Sequence, residues 1–165
     1  MIPRFLLILF AAAASFAQSP PNWARWQFLI GDWIGEGSGQ PGQGTGGFSL
    51  KPDLEGRVLV RTNWADYPAT KDRPAYSHHD LMVVYPEGPG ARAVYFDNEG
   101  HVIHYTAEIG DDRVTFTSGA EPKSPRFRLT YTKTAEGKVG IHFEIAPPGK
   151  PEAFAPYIDA TARRK

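Results

Sequence analysis

Leu29-Ile-Gly31-Asp-Trp33-Ile-Gly35-Glu-Gly37 decides how this chain folds. A large aromatic residue stands two positions after one glycine and is followed by two more at alternate positions. A tryptophan on a first strand, set by a preceding glycine, is how a small β-barrel plugs its own closed end. Gly31 allows the chain to leave the preceding segment in a conformation other residues avoid, Trp33 fills the barrel end, and Gly35 and Gly37 let the strand bend sharply.

Immediately upstream, Trp23-Ala-Arg-Trp26-Gln-Phe-Leu-Ile30 predicts a short helix, with Asn22 as N-cap and Gly31 as the C′ residue. Trp23, Trp26 and Ile30 share one face at helical spacing, and that face is expected to cover the barrel's end. Farther upstream, residues 1–17 have the form of a secretory signal peptide. Arg4 supplies the positive region, Phe5 to Ala14 is an apolar run too short to span a bilayer, and Ser15-Phe16-Ala17 predicts cleavage before Gln18. The expectation is therefore an exported protein, periplasmic or extracellular, with residues 18–165 forming one domain and no membrane span in the mature chain.

Composition narrows the function classes. The chain carries 18 Lys+Arg against 18 Asp+Glu and no Cys. Near-neutrality removes any general attraction to nucleic acid or anionic membrane, and the absence of Cys removes disulfides and thiol chemistry. The sequence also lacks a P-loop, a dinucleotide fingerprint and a Gly-x-Ser-x-Gly elbow.

Downstream of Ile30 the apolar period is two rather than 3.6. Val58, Val60, Thr62 and Trp64 share a face, as do Phe127, Leu129 and Tyr131, and Val139, Ile141, Phe143 and Ile145. Turn signals lie between such runs at Pro86-Glu-Gly-Pro-Gly90, Asp97-Asn-Glu-Gly100, Gly110-Asp-Asp112 and Ala135-Glu-Gly137. The spacing predicts strands near 32–38, 45–52, 57–65, 76–85, 91–97, 101–108, 113–118, 126–133, 138–146 and 153–163. The fold class is all-β, an antiparallel sandwich or barrel, with closure favoured because it removes exposed edges. The glycine-rich run 40–47 and the connection 65–74 are long enough to border a pocket mouth.

The stretch around Trp33 resembles the first strand of the calycin group, which comprises lipocalins, fatty-acid-binding proteins and nitrobindin-like barrels. Its Gly-x-Trp-x-Gly-x-Gly form is most similar to nitrobindins and to bacterial lipocalin-like families of unknown function. The resemblance implies a single antiparallel barrel of about eight to ten strands, a helix or turn over one end, and an internal cavity.

On that reading the cavity walls are expected from Trp33, Phe48, Val60, Trp64, Val94, Phe96, Phe116, Phe127, Tyr131 and Phe143. Arg61, Arg128, His104 and Glu144 sit opposite the apolar sets on their strands. These polar faces either form the outside of the barrel or, by analogy with fatty-acid-binding barrels, place Arg61 or Arg128 inward to hold an acidic head group. His78 and Asp80 share a strand face and supply two metal ligands if His104 or His142 brings a third. Haem is implied by the nitrobindin-like resemblance through a late histidine, but the last strand has none and His142 lies on the strand before it. Ser49, Ser77 and Ser118 become nucleophiles only if a His and a carboxylate converge on one of them, and the pair Asp111-Asp112 belongs to a turn.

The expected function is non-enzymatic binding of a small, largely apolar molecule inside the barrel, without a cofactor. The competing readings are a haem- or metal-dependent enzyme, which requires two of His78, His104 and His142 in one cavity, and an interaction module with a filled core.

Overall fold

A computed structural model describes residues 21–36 and 44–165. The leader expected at 1–17 and residues 37–43, with Gly37 and the start of the glycine-rich run, lie outside the described residues.

Ten strands follow one another: β1 (Gly31–Glu36), β2 (Thr45–Asp53), β3 (Val58–Tyr67), β4 (Tyr76–Glu87), β5 (Gly90–Asp97), β6 (Val102–Ile109), β7 (Arg113–Ser118), β8 (Arg126–Lys133), β9 (Val139–Ala146) and β10 (Ala155–Arg164). Each pairs antiparallel with the next, and β10 returns to β1, so the sheet is a closed barrel with no free edge. The strand ends differ from those the alternation predicts by no more than two residues. The turns are where the glycines put them: Gly88, Gly100 and Gly137 have φ of 56°, 92° and 72°.

The helix expected over 23–30 is a single 3-10 turn, Ala24–Trp26. Asn22 Oδ1 does accept the Ala24 amide at 2.9 Å, but the Leu29 and Ile30 amides both donate to the Trp26 carbonyl and no second helical turn forms. A segment this short has little helical stability of its own, so tertiary contacts decide its shape. Those contacts draw Trp26 and Leu29 into the core and bind Trp23 Nε1 to the Gly56 carbonyl at 2.7 Å. Gly31 is consequently not a helix C′ residue. It is the first residue of β1, at φ +143°, and a Cβ there would collide with the Arg164 guanidinium.

The closed end is solid. Trp33 donates its ring N–H to the Leu29 carbonyl at 2.8 Å and stacks on Phe48, with ring centroids 6.0 Å apart. Arg164 covers the other side, its Cζ 4.6 Å from the Trp33 ring centre and its Nη1 donating to the Ile30 carbonyl at 3.0 Å. Phe116 joins Trp26 to Tyr131 through tilted and edge-on contacts. Leu59, Val84, Val114 and Val139 complete a core with essentially no exposed surface.

The inward faces do not all match the apolar sets read from the sequence. On β8 and β9 they do, with Phe127, Leu129, Tyr131 and Val139, Ile141, Phe143 turned to the interior cluster. On β3 the inward set is Leu59 and Arg61, both buried, followed by Asn63, so Val60 and Trp64 face outward. On β5 Ala91, Ala93 and Tyr95 turn inward, which leaves Val94 outward and Phe96 43% exposed. β3 carries apolar residues on both faces near the closed end, so alternation alone assigns no face there.

Candidate functional site

The mouth half of the barrel is hollow. A cavity of about 440 Å³ opens between the strand ends remote from Trp33. One wall is apolar and comes from β8, β9 and β10: Phe127, Leu129, Ile141, Phe143, Ile145 and Ile158. Strict alternation supplies most of it. A bulge in β10 moves the pairing from Pro156↔Glu144 to Ile158↔Phe143, which re-aims the strand so that Ile158, Ala160 and Ala162 line the cavity below Tyr157.

The facing wall is polar and comes from β3 to β6. Arg61 crosses the floor, its Cζ 5.8 Å from the Phe48 ring centre and 5.9 Å from that of Tyr131. Its Nη1 donates to Asp80 Oδ1 at 2.9 Å, and both side chains are almost wholly enclosed. Burial works against the Arg61 charge, but the Asp80 carboxylate and the Tyr131, Tyr95 and Tyr105 hydroxyls together outweigh it, so the guanidinium pKa stands above its ordinary value. Asn63 Nδ2 donates to Asp80 Oδ2 at 2.8 Å.

Nearer the mouth, His78 is held between carboxylates. Its Nε2 lies 3.4 Å from Asp80 Oδ2 and 3.1 Å from the Tyr95 hydroxyl, and its Nδ1 lies 2.9 Å from Glu99 Oε1. The Asp80 hydrogen bond, helped by Glu99, outweighs burial and pushes the imidazole up to about 9, so His78 is charged at neutral pH. Tyr95 donates to Asp97 Oδ2 at 3.1 Å, and His101 Nδ1 meets the same oxygen at 2.8 Å. Burial, with Asp80 and Asp97 nearby, raises the Tyr95 hydroxyl above its ordinary value. Burial opposes ionisation of Asp97, yet the His101, Tyr95 and Glu99 hydrogen bonds hold its carboxyl below the usual range. Tyr105 closes the floor, edge-on to Tyr95, its hydroxyl also raised by burial. At the rim the Tyr67 and Tyr76 rings stack at 4.5 Å with Arg73 over Tyr76.

Of the residues expected to wall a cavity, Phe48, Phe127, Phe143 and Arg61 line it with their side chains. Trp64 borders it along the strand, but its indole lies outside, where a Cβ on Gly47 would stand 3.3 Å from Trp64 Nε1. Trp33, Phe116 and Tyr131 belong to the packed end instead, and Val60, Val94 and Phe96 point away from the interior. Arg128 lies on the outer face of β8, bonded through Nε and Nη2 to both Glu144 oxygens at 2.6 and 2.7 Å. Of the two arginines only Arg61 is inward. Asn63, Tyr95, Asp97, Glu99, His101 and Tyr105 were not singled out by sequence. Asn63, Tyr95 and Asp97 belong to runs of polar residues at i, i+2 on the mouth halves of β3 and β5, whereas Glu99 and His101 lie in the β5–β6 turn and Tyr105 lies on β6.

The metal and nucleophile arrangements do not assemble. His104 is exposed on β6, and His142 is on the outer face of β9, bonded to Asp159, so only His78 of the three candidate histidines enters the cavity. Among the described residues no three His, Asp or Glu side chains are grouped to hold a metal ion. His78 offers haem no free ring nitrogen, since both are engaged, and β10 has no histidine. Ser49 bonds Thr62, Ser77 bonds Asp66, and Ser118 accepts the Phe127 amide, and none of these bonds is to a histidine.

No family model matches the sequence, and no match was found among curated proteins. Among the described residues no helix is long and apolar enough to cross a membrane.

Proposed function

We propose that this chain is an exported, calycin-like carrier that binds one small, largely apolar molecule in the mouth half of its barrel, without acting as an enzyme. One observation carries the reading: a cavity of about 440 Å³ in which an apolar wall faces a hydrogen-bonding wall. That size lies within the range of small-molecule sites, which are mostly apolar with a few placed polar groups. A guest burying roughly 200 Å² of apolar surface gains about 5 kcal/mol from burial, before the costs of association. The polar wall then fixes which end of the guest points to Arg61 and Asn63.

The apolar leader supports export, and the barrel closure with a tryptophan plug supports the calycin-like placement. The test is a titration with N-phenyl-1-naphthylamine, an uncharged apolar fluorophore, together with native mass spectrometry of protein purified from its own host. Saturable 1:1 binding, or a co-purifying small molecule, is expected. A protein that binds neither the fluorophore nor any host molecule contradicts the reading.

A further inference from the structure

The carboxylate, guanidinium and imidazole side chains that line the cavity are engaged with one another or with neighbours at the rim. Among the described residues they are Glu36, Arg61, His78, Asp80, Asp97, Glu99 and His101. Asp80 is bonded to Arg61 at 2.9 Å, Glu99 to His78 at 2.9 Å and Asp97 to His101 at 2.8 Å. Glu36, at the rim, is matched from outside the cavity by Lys138 at 3.1 Å and Arg163 at 3.6 Å. Asp80 thus lies between Arg61 and His78, His78 also reaches Glu99, and Asp97 is held by the Tyr95 hydroxyl and the His101 ring. A bidentate grip on a carboxylate uses two N–H groups along one edge of a guanidinium. Here Arg61 is inward, but its Nη1 is bonded to Asp80 and its Nε is sealed from solvent.

A carboxylate guest at Arg61 brings a second negative charge beside Asp80 on one guanidinium, and an ammonium guest at Asp80 or Asp97 has to displace Arg61 or the Tyr95 and His101 hydrogen bonds. Either way a buried group loses its partner or gains a like-charged neighbour, which is the expensive outcome. An uncharged head group disturbs none of these pairs. The Asn63 amide, with one N–H committed to Asp80, keeps an oxygen and a second N–H for a guest, and the Tyr105 hydroxyl lies on the same floor.

We infer that the guest is an uncharged amphiphile whose head group both donates and accepts hydrogen bonds, a primary amide or an alcohol, and that the paired charges of the polar wall exclude carboxylates and ammonium ions of the same chain length. This rests on the carrier reading above and adds the chemical class of its ligand.

The experiment is displacement of bound N-phenyl-1-naphthylamine at pH 7 by octanamide, octan-1-ol, octanoate and octylammonium. The amide and the alcohol are expected to displace it at concentrations at least tenfold lower than either ion. In Asp80→Asn the Arg61 charge loses its partner, and octanoate is expected to gain at least tenfold relative to octanamide. Should that variant fail to fold, the wild-type series decides alone. Octanoate or octylammonium competing as well as octanamide overturns the inference and leaves the carrier reading standing, as does bound fluorophore that none of the four displaces. A wild-type protein that does not bind the fluorophore overturns both.

Discussion

The two ends of this barrel are built from the same ten strands and differ in what fills them. At the closed end Trp26, Phe116, Tyr131, Phe48 and Trp33 meet in sequence, ring against ring, and the aliphatic side chains among them have essentially no exposed surface. At the mouth β3 to β5 turn inward polar residues bonded to one another, β10 turns inward the short Ala160 and Ala162, and the large apolar residues of β8 and β9 border open space. Packed aromatic rings hold the closed end together. The mouth gives up that contact and keeps a space. The comparison assigns stability to one end and binding to the other, and substitutions can test that division.

The largest effect is expected at the plug. Trp33→Ala removes the indole between Phe48 and Arg164 and is expected to cost about 3–5 kcal/mol in urea denaturation, the range for deleting a large core aromatic. Next is the floor that divides the two ends. Asp80→Ala leaves the Arg61 guanidinium buried with no counter-charge, at a cost of about 3 kcal/mol by the same measurement. Phe143→Ala, at the mouth, is expected to cost about 1 kcal/mol or less because its site already borders open space, yet to weaken fluorophore binding at least fivefold. If Phe143→Ala destabilises the fold as much as Trp33→Ala, the mouth is part of the core and the division fails.

The smallest effect is a pH dependence confined to the mouth. In the folded protein the Asp80 and Glu99 bonds raise His78 from 6.5 to about 9. The folded form therefore holds that proton more tightly, and the contribution to stability is complete below about 6.5 and fades as pH rises through about 9. Denaturation midpoints of wild type and His78→Gln, followed from pH 6.5 to 9.5, should converge as pH rises. Parallel profiles would show that the His78 bonds do not contribute.

Much of this architecture is legible in the sequence because local chemistry dictates it. Gly88, Gly100 and Gly137 fix hairpins through their positive φ, and Phe127-Arg-Leu-Thr-Tyr131 has its apolar residues on one face only. The 3-10 turn was not legible, because Trp23 and Leu29 take their positions from partners distant in sequence. The site was half legible. Strict alternation marks Phe127 and Phe143 for the interior. Arg61 looks like an outward residue beside Val58, Val60 and Trp64 until Asp80, nineteen positions later, is seen to meet it. Inward polarity is a property of pairs across strands, and a single strand's pattern does not contain it.

The most direct test of the division is to fill the mouth and leave the plug alone. Ala160 lines the cavity, pairs with Ile141 and is not a member of the closed-end core cluster. Titrated with N-phenyl-1-naphthylamine, wild type is expected to bind one equivalent, and Ala160→Trp to lose that binding while its urea midpoint stays near that of wild type. Equal binding by both proteins would contradict the account, because the guest would then lie outside the barrel.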